Sequence, residues 1–109
     1  MVKPSASTEE YKMTYYTLSY DLRRERGPDD YRRLHRALRS LFDWCTPLES
    51  FWIIRTGLSP STIIKALLEI GALDDDDGIV ILETTLRGSY RRAGGIDSVQ
   101  WLNARLKAA

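Results

Sequence analysis

Residues 13–22, MTYYTLSYDL, are rich in Tyr, Thr and Leu and differ in character between odd and even positions, which predicts a β-strand. The turn RGPDD follows, and Asp29 or Asp30 is placed to cap the helix after it. This helix is predicted to run to about Phe42, because apolar residues recur along it at helical spacing. Four arginines fall largely off its apolar face: Arg32, Arg33, Arg36 and Arg39.

The middle of the chain predicts further strands and a second helix. Residues 47–56, PLESFWIIRT, are extended, either as one strand or as a short strand to Glu49 and a second from Ser50. Ser59 and Pro60 open the helix, since serine caps free N–H groups and proline suits the first helical position. The helix is expected to bury a stripe of four residues: Ile63, Ile64, Leu67 and Leu68.

The last third begins with the turn DDDDG, which leads into IVILET. Successive apolar positions in IVILET predict a strand that is buried on both faces. A basic segment, LRGSYRRAGG, follows, and then a short helix with Asp97 as its cap. We therefore expect a flexible extension over residues 1–12, a folded domain over 13–84, and a basic segment with a short helix over 85–109.

The order strand, helix, two strands, helix, strand predicts an α+β protein with a ferredoxin-like βαββαβ antiparallel sheet and two helices on one face. The other face would be bare, although neighbouring positions such as Ile53 and Ile54 are apolar on both sides. A bare apolar face is a large exposed patch. We expect a second copy of the sheet to cover it in a homodimer, and the C-terminal segment is a further source of cover.

The bulk composition excludes several classes of protein. The chain has 109 residues, 43% of them hydrophobic and 28% charged, as in a single globular domain. A net charge of +1 means that any attraction to polyanions is local. Cys45 is the lone cysteine, which fits a reducing compartment. No apolar run approaches the roughly 20 residues that span a bilayer, so we expect a cytoplasmic protein without a membrane partner.

Two features carry candidate chemistry, and each has a simpler interpretation. Asp21 ends the first strand, where two copies near a dimer axis would hold Mg²⁺, or where it would satisfy the following turn. Residues 19–40 contain seven arginines and four acids, and arginine's planar fork suits phosphate. A solvated helix face is the alternative. A second basic patch, with the same two interpretations, consists of Arg87, Arg91 and Arg92.

Other candidates are weaker. His35 has no positioned partner in the sequence, so we interpret it as a packed or half-buried residue, and Cys45 as a packing residue. The four aspartates do not form an EF-hand loop: with Gly78 at the invariant glycine, the first and last ligand positions fall on Leu73 and Thr84. We interpret the acidic run as a solvated turn.

Three stretches, YYTLSYDLRRERG, ESFWIIRTGLSPSTI and DDDDGIVILET, make residues 13–84 resemble a known family. It is the small ferredoxin-like nuclease subunit of the CRISPR adaptation complex, and the chain looks closer still to that subunit's stand-alone relatives outside CRISPR loci. The resemblance implies a homodimer with facing sheets that handles RNA or DNA, with metal-dependent phosphodiester cleavage in some members. It maps the metal ligand to Asp21, the family's serine to Ser50, and its basic residues to Arg23 and Arg24.

Together these observations predict a nucleic-acid-associated dimer, with a metal-dependent endonuclease as the leading function and RNA favoured over DNA. Paired Asp21 carboxylates would hold Mg²⁺ or another divalent cation, and Asp21 and Ser50 are the expected catalytic residues. A non-catalytic nucleic-acid-binding or scaffold dimer of the same fold is the alternative. Seven arginines are expected to contact nucleic acid: Arg23, Arg24, Arg32, Arg33, Arg36, Arg91 and Arg92.

Overall fold

A computed structural model of the chain describes residues 13–22, 28–48 and 50–108. These ranges contain four strands and three helices, in the order β1 (Thr14–Asp21), α1 (Pro28–Leu41), β2 (Asp43–Leu48), β3 (Phe51–Thr56), α2 (Pro60–Glu69), β4 (Gly78–Thr84) and α3 (Ile96–Arg105). The strands form one antiparallel sheet in the order β2–β3–β1–β4. The protein is therefore α+β, and its architecture is compatible with a ferredoxin-like fold.

Most predicted elements are present, with shifted ends. The extended stretch after α1 forms two strands, and the first of them begins earlier than predicted, at Asp43. Helix α1 begins at Pro28, so the backbone of residues 29 and 30 is in its first turn, and the cap position before it is outside the described residues. A carboxylate in the first turn still suits the positive end of a helix. In the part of the chain that the structure describes, no helix is long and apolar enough to cross a bilayer.

The two later helices differ in how well their starts were predicted. Ser59 caps α2 as expected, since its hydroxyl accepts a hydrogen bond from the Thr62 backbone N–H at 3.3 Å. The buried stripe of α2 is narrower than predicted, because Leu68 is exposed. The cap predicted for α3 is wrong: Gly95 occupies the cap position, and Asp97 lies in the first turn.

The larger core lies between one face of the sheet and the helices α1 and α2. Even-numbered positions of β1 and β3 face this core, because successive residues of a strand point to opposite sides. Both helices contribute leucine or isoleucine side chains that are fully buried. The residues packed most deeply here are Leu18, Leu34, Leu38, Trp52, Ile54, Ile63 and Leu67.

A second core lies on the opposite face, where α3 packs against β2 and β3. Cys45 and Ile53 meet Trp101 and Leu102 there, and Trp101 also reaches Tyr15 of β1 in an edge-to-face contact. Polar contacts hold the helix: the Trp101 indole N–H donates to Asp43 at 2.9 Å, and Arg105 pairs with the same carboxylate at 3.3 Å. The C-terminal segment therefore covers half of this face, as the sequence suggested.

The other half of this second face, over β1 and β4, is uncovered in the single chain. Val80 and Leu82 are 56% and 61% exposed, so the prediction that β4 is buried on both faces is wrong for one chain. The reason is that α3 lies over β2 and β3 and does not extend to β4. We call this surface the open half; its residues are Thr17, Ser19, Asp21, Val80 and Leu82.

The segment 85–95, which joins β4 to α3, is attached at both ends. Near its start, Lys107 donates its N–H to the Leu86 carbonyl at 2.8 Å, and Gly88 donates to the Lys107 carbonyl at 2.9 Å. Near its end, Gly94 has a φ of +76°, and a Cβ on this residue would lie 2.9 Å from the Thr46 carbonyl oxygen. Only glycine fits such a close approach in the left-handed region.

We expect Gly94→Ala to lower the free energy of unfolding more than Gly71→Ala. Both glycines have positive φ, where a Cβ costs roughly 1–2 kcal/mol. A Cβ added at Gly71 would have no atom within 4 Å, whereas a Cβ at Gly94 would clash with β2. The clash adds a further cost of roughly 1–3 kcal/mol. Urea denaturation measures both, and equal losses would show that segment 85–95 does not pack tightly on β2.

Candidate functional site

Asp21 is the last residue of β1, and its side chain is exposed. It pairs with Gly78, the first residue of β4. Strand alternation places Asp21 on the same face as Thr17 and Ser19, the face opposite α1 and α2. The carboxylate therefore lies at one end of the open half, next to the exposed apolar residues of β4.

Ser50 lies in the turn between β2 and β3 and is also exposed. The next residue, Phe51, pairs with Ser19, so Ser50 and Asp21 lie at the same end of the sheet. Because Ser50 is in the turn and β3 begins at Phe51, strand alternation does not assign its side chain to either face. The structure therefore brings the two predicted residues to one end of the sheet.

The predicted arginines fall on two separate surfaces, apart from Arg23 and Arg24, which lie outside the described residues. The exposed side chains of Arg32, Arg33 and Arg36 are on the outer side of α1, since Leu34 and Leu38 face the sheet. Arg33 lines a small hollow beside Leu22, at the end of β1. A second surface carries Arg91 and Arg92, which are exposed in segment 85–95.

The acidic run 74–77 is a closed turn. The Asp77 backbone N–H donates to the Asp74 carbonyl at 3.1 Å, and the Asp74 N–H donates to the Asp77 carboxylate at 2.8 Å. Across residues 13–22, 28–48 and 50–108, no group of three or more His, Cys, Asp or Glu side chains is arranged to hold a metal ion. The magnesium site expected from the sequence uses Asp21 from each of two chains, so one chain supplies one of its carboxylates.

A buried polar network lies directly beneath the end of β1. The Trp52 indole N–H donates to the Tyr20 hydroxyl at 3.1 Å, and this hydroxyl is 2.6 Å from Nε2 of His35. Burial lowers the pKa of His35 from 6.5, and the positive charge of Arg39 lowers it further. The direction of this hydrogen bond follows the imidazole tautomer: Nε2 accepts from Tyr20 when the proton is on Nδ1 and donates to Tyr20 when it is on Nε2.

The network connects three elements at the residue that precedes Asp21. It fixes β1 to α1 through His35 and to β3 through Trp52, so the backbone that carries the candidate ligand is well supported. The half-buried state predicted for His35 is confirmed. The hydrogen bonds of this network were not predicted. Tyr20 is 15 residues from His35 in the sequence and Trp52 is 32 residues from Tyr20, and neither pair belongs to a local motif.

Cys45 is a packing residue, as predicted. Its side chain is 1% exposed and lies in the second core. Burial raises the pKa of the thiol to about 12, with a lowering effect from Arg105 and a smaller raising effect from Asp43. A thiol in this state is not a nucleophile near neutral pH, because the thiolate is the reactive form.

We expect His35 to make the protein less stable as the pH falls. Because the folded-state pKa is below 6.5, the unfolded chain binds more protons, and stability falls from about pH 6.5 down to the folded pKa and is constant below it. His35→Gln removes this component, since the glutamine amide does not titrate but can still accept from Tyr20 or donate to it. Urea denaturation at about pH 7.5 and about pH 5.5 tests this. The same pH dependence in both proteins would contradict it.

Comparison with known proteins adds no assignment. No protein-family model matches the chain, and no curated protein or solved structure matches it. What the site can do therefore follows from its own residues. These are an exposed carboxylate at the end of an unpartnered sheet face, a serine at the same end of the sheet, and arginines on two surfaces.

Proposed function

We propose that this protein is a ferredoxin-like homodimer that associates with nucleic acid and acts as a metal-dependent endonuclease, on RNA in preference to DNA. The observation that carries the proposal is the position of Asp21, which is exposed at one end of the open half. The preference for RNA and the cleavage reaction are suggested by the resemblance of residues 13–84 to the small nuclease subunit of the CRISPR adaptation complex.

The open half supports the dimer. Val80 and Leu82 expose apolar side chains on the edge strand β4, next to Thr17 and Ser19 of β1. Because α3 already covers β2 and β3, a second chain has access to the β1 and β4 side of this face. A two-fold axis brings the same patch of each chain together, so a patch that is apolar on one chain meets its own copy.

The dimer would bring two Asp21 carboxylates toward one axis. Paired carboxylates with water completing the shell suit Mg²⁺, which prefers oxygen ligands and keeps several waters. Such an ion activates a water molecule and stabilises the charge of a phosphoryl transition state. Arg23 and Arg24 follow Asp21 in the sequence, where they would contact the phosphate, and Ser50 would contact it from the turn at the same end of the sheet.

A non-catalytic binding or scaffold dimer is the second candidate. It is favoured by the exposed arginines of α1, because this helix lies on the sheet face opposite the one that carries Asp21. Arg32, Arg33 and Arg36 can hold a phosphate backbone there without bringing a phosphodiester to the carboxylate. The two candidate functions share the fold and the dimer. They differ in whether the protein cleaves nucleic acid and so requires the Asp21 carboxylate.

We expect the wild-type protein to be a dimer and the double variant Val80→Lys with Leu82→Lys to be a monomer. Two charges on the open half would have to be desolvated in the interface. Ile96→Lys is the matched control, because Ile96 is a 73% exposed apolar residue on α3. Sedimentation measures all three proteins. A monomeric wild type, or a double variant that still dimerises, would exclude the open half as the interface.

We expect Asp21→Asn to remove Mg²⁺-dependent cleavage of RNA while leaving RNA binding in place. The cleavage rate should fall by more than the roughly 10- to 100-fold that is lost when a residue hydrogen-bonded to a metal ligand is removed, because Asp21 is itself the proposed ligand. Asp75→Asn, in the exposed acidic turn, is the control and should keep full activity.

Cleavage that persists in Asp21→Asn would end the catalytic proposal. Binding that survives Asp21→Asn but disappears when Arg32, Arg33 and Arg36 are replaced by glutamine, with no cleavage in any protein, would identify the non-catalytic dimer. Gel-based cleavage and fluorescence anisotropy on the same RNA separate these results.

A further inference from the structure

A groove of about 270 Å³ lies on the second face, between β3, α3 and segment 85–95. Its walls are apolar and include Phe51, Ile53, Leu102 and Leu106. Its volume is just below the roughly 300–1,000 Å³ of sites for drug-sized molecules, so it suits a single small ring system. The residues proposed above for metal binding and cleavage do not line it.

The rim of the groove is already fixed in place. The Tyr90 hydroxyl donates to the side-chain oxygen of Asn103 on α3 at 2.7 Å, which holds this aromatic residue at the rim. The pairing of Gly88 with Lys107 and the close contact of Gly94 with β2 hold the two ends of segment 85–95. A preformed site loses little conformational entropy on binding.

The charge at the groove favours an anionic ligand. Segment 85–95 contains three arginines and no acidic residue, and the exposed Arg91 lines the groove. Phe51 is half-buried in the wall and Tyr90 is 37% exposed at the rim, so two aromatic rings border the space. Apolar walls, two aromatic residues and an exposed arginine in the lining match a flat ring with a phosphate attached.

We propose that the groove binds one unpaired nucleotide of single-stranded RNA, with its base against Phe51 and Tyr90 and its phosphate on Arg91. This rests on the proposed association with nucleic acid and specifies the form of the substrate. The base must be unpaired, because a base stacked in a duplex cannot enter a groove of this kind.

The groove is close to the candidate metal site. Phe51 pairs with Ser19, and Asp21 is two residues further along β1. These positions are separated by roughly 7 Å along the strand and roughly 5 Å across the sheet. An RNA molecule with one base bound at Phe51 would therefore have its neighbouring phosphates near the end of β1.

The first experiment titrates uridine monophosphate, uridine and inorganic phosphate separately into ¹⁵N-labelled full-length protein. We expect the monophosphate to shift the amide signals of Leu48, Phe51, Tyr90 and Arg91, and to bind at least about tenfold more tightly than either of its parts. Absence of shifts at these residues would overturn the proposal.

The second experiment compares binding of a single-stranded RNA with that of a blunt duplex of the same sequence. We expect Arg91→Gln and Phe51→Leu each to weaken single-strand binding by roughly 5- to 100-fold and to leave duplex binding unchanged. Phe51→Leu keeps the apolar bulk and removes the ring. Lys107→Gln is the control, because this exposed cation contacts segment 85–95 through its backbone and its side chain does not line the groove.

The results separate this proposal from the proposed function. If RNA binds through the arginines of α1 and both groove variants match the wild type, the groove assignment fails and the nucleic-acid association stands. If uridine monophosphate binds the groove but no RNA binds the protein, both the single-stranded substrate and the nucleic-acid association are wrong. If the same amides shift on dilution without nucleotide, a second chain occupies the groove, which also overturns the assignment.

Discussion

β1 and β3 form the middle of the sheet, and β3 carries apolar side chains toward both faces, so both sides of this strand must be kept from water. Helices α1 and α2 cover one face, and α3 covers the β2 and β3 side of the other. The remaining surface, over β1 and β4, is uncovered in the single chain. It leaves Val80 and Leu82 exposed, sets the candidate dimer surface, and places Asp21 at its end.

The parts of this arrangement that depend on neighbouring residues were predictable from the sequence. Alternation predicted β1, and the Ser59–Pro60 pair predicted the start of α2, because caps and strand periodicity are local. The exposure of β4 was not predictable, since IVILET has the same pattern whether or not α3 reaches it. The bonds among Trp52, Tyr20 and His35 join three elements and follow no spacing rule.

The position of the candidate site was predictable from the sequence, but the arrangement of the residues around it was not. The strand end fixed where Asp21 would lie, and antiparallel pairing brought Ser50 to the same end of the sheet. The sequence could not show that the arginines of α1 and those of segment 85–95 lie on separate surfaces. The sequence also could not show that Arg91 lines a groove together with Phe51 and Tyr90, because 39 positions separate these two aromatic residues in the chain.

The order of the elements has a consequence for how the chain is made. Helix α3 follows all four strands in the sequence. During synthesis the larger core can therefore form while the β2 and β3 side of the second face is still exposed to water. A nascent chain that stops before Trp101 leaves Cys45 and Ile53 open to solvent beside the already exposed β4. Because α3 is made after all four strands, the half of the sheet that it covers is the later one to be shielded from other nascent chains.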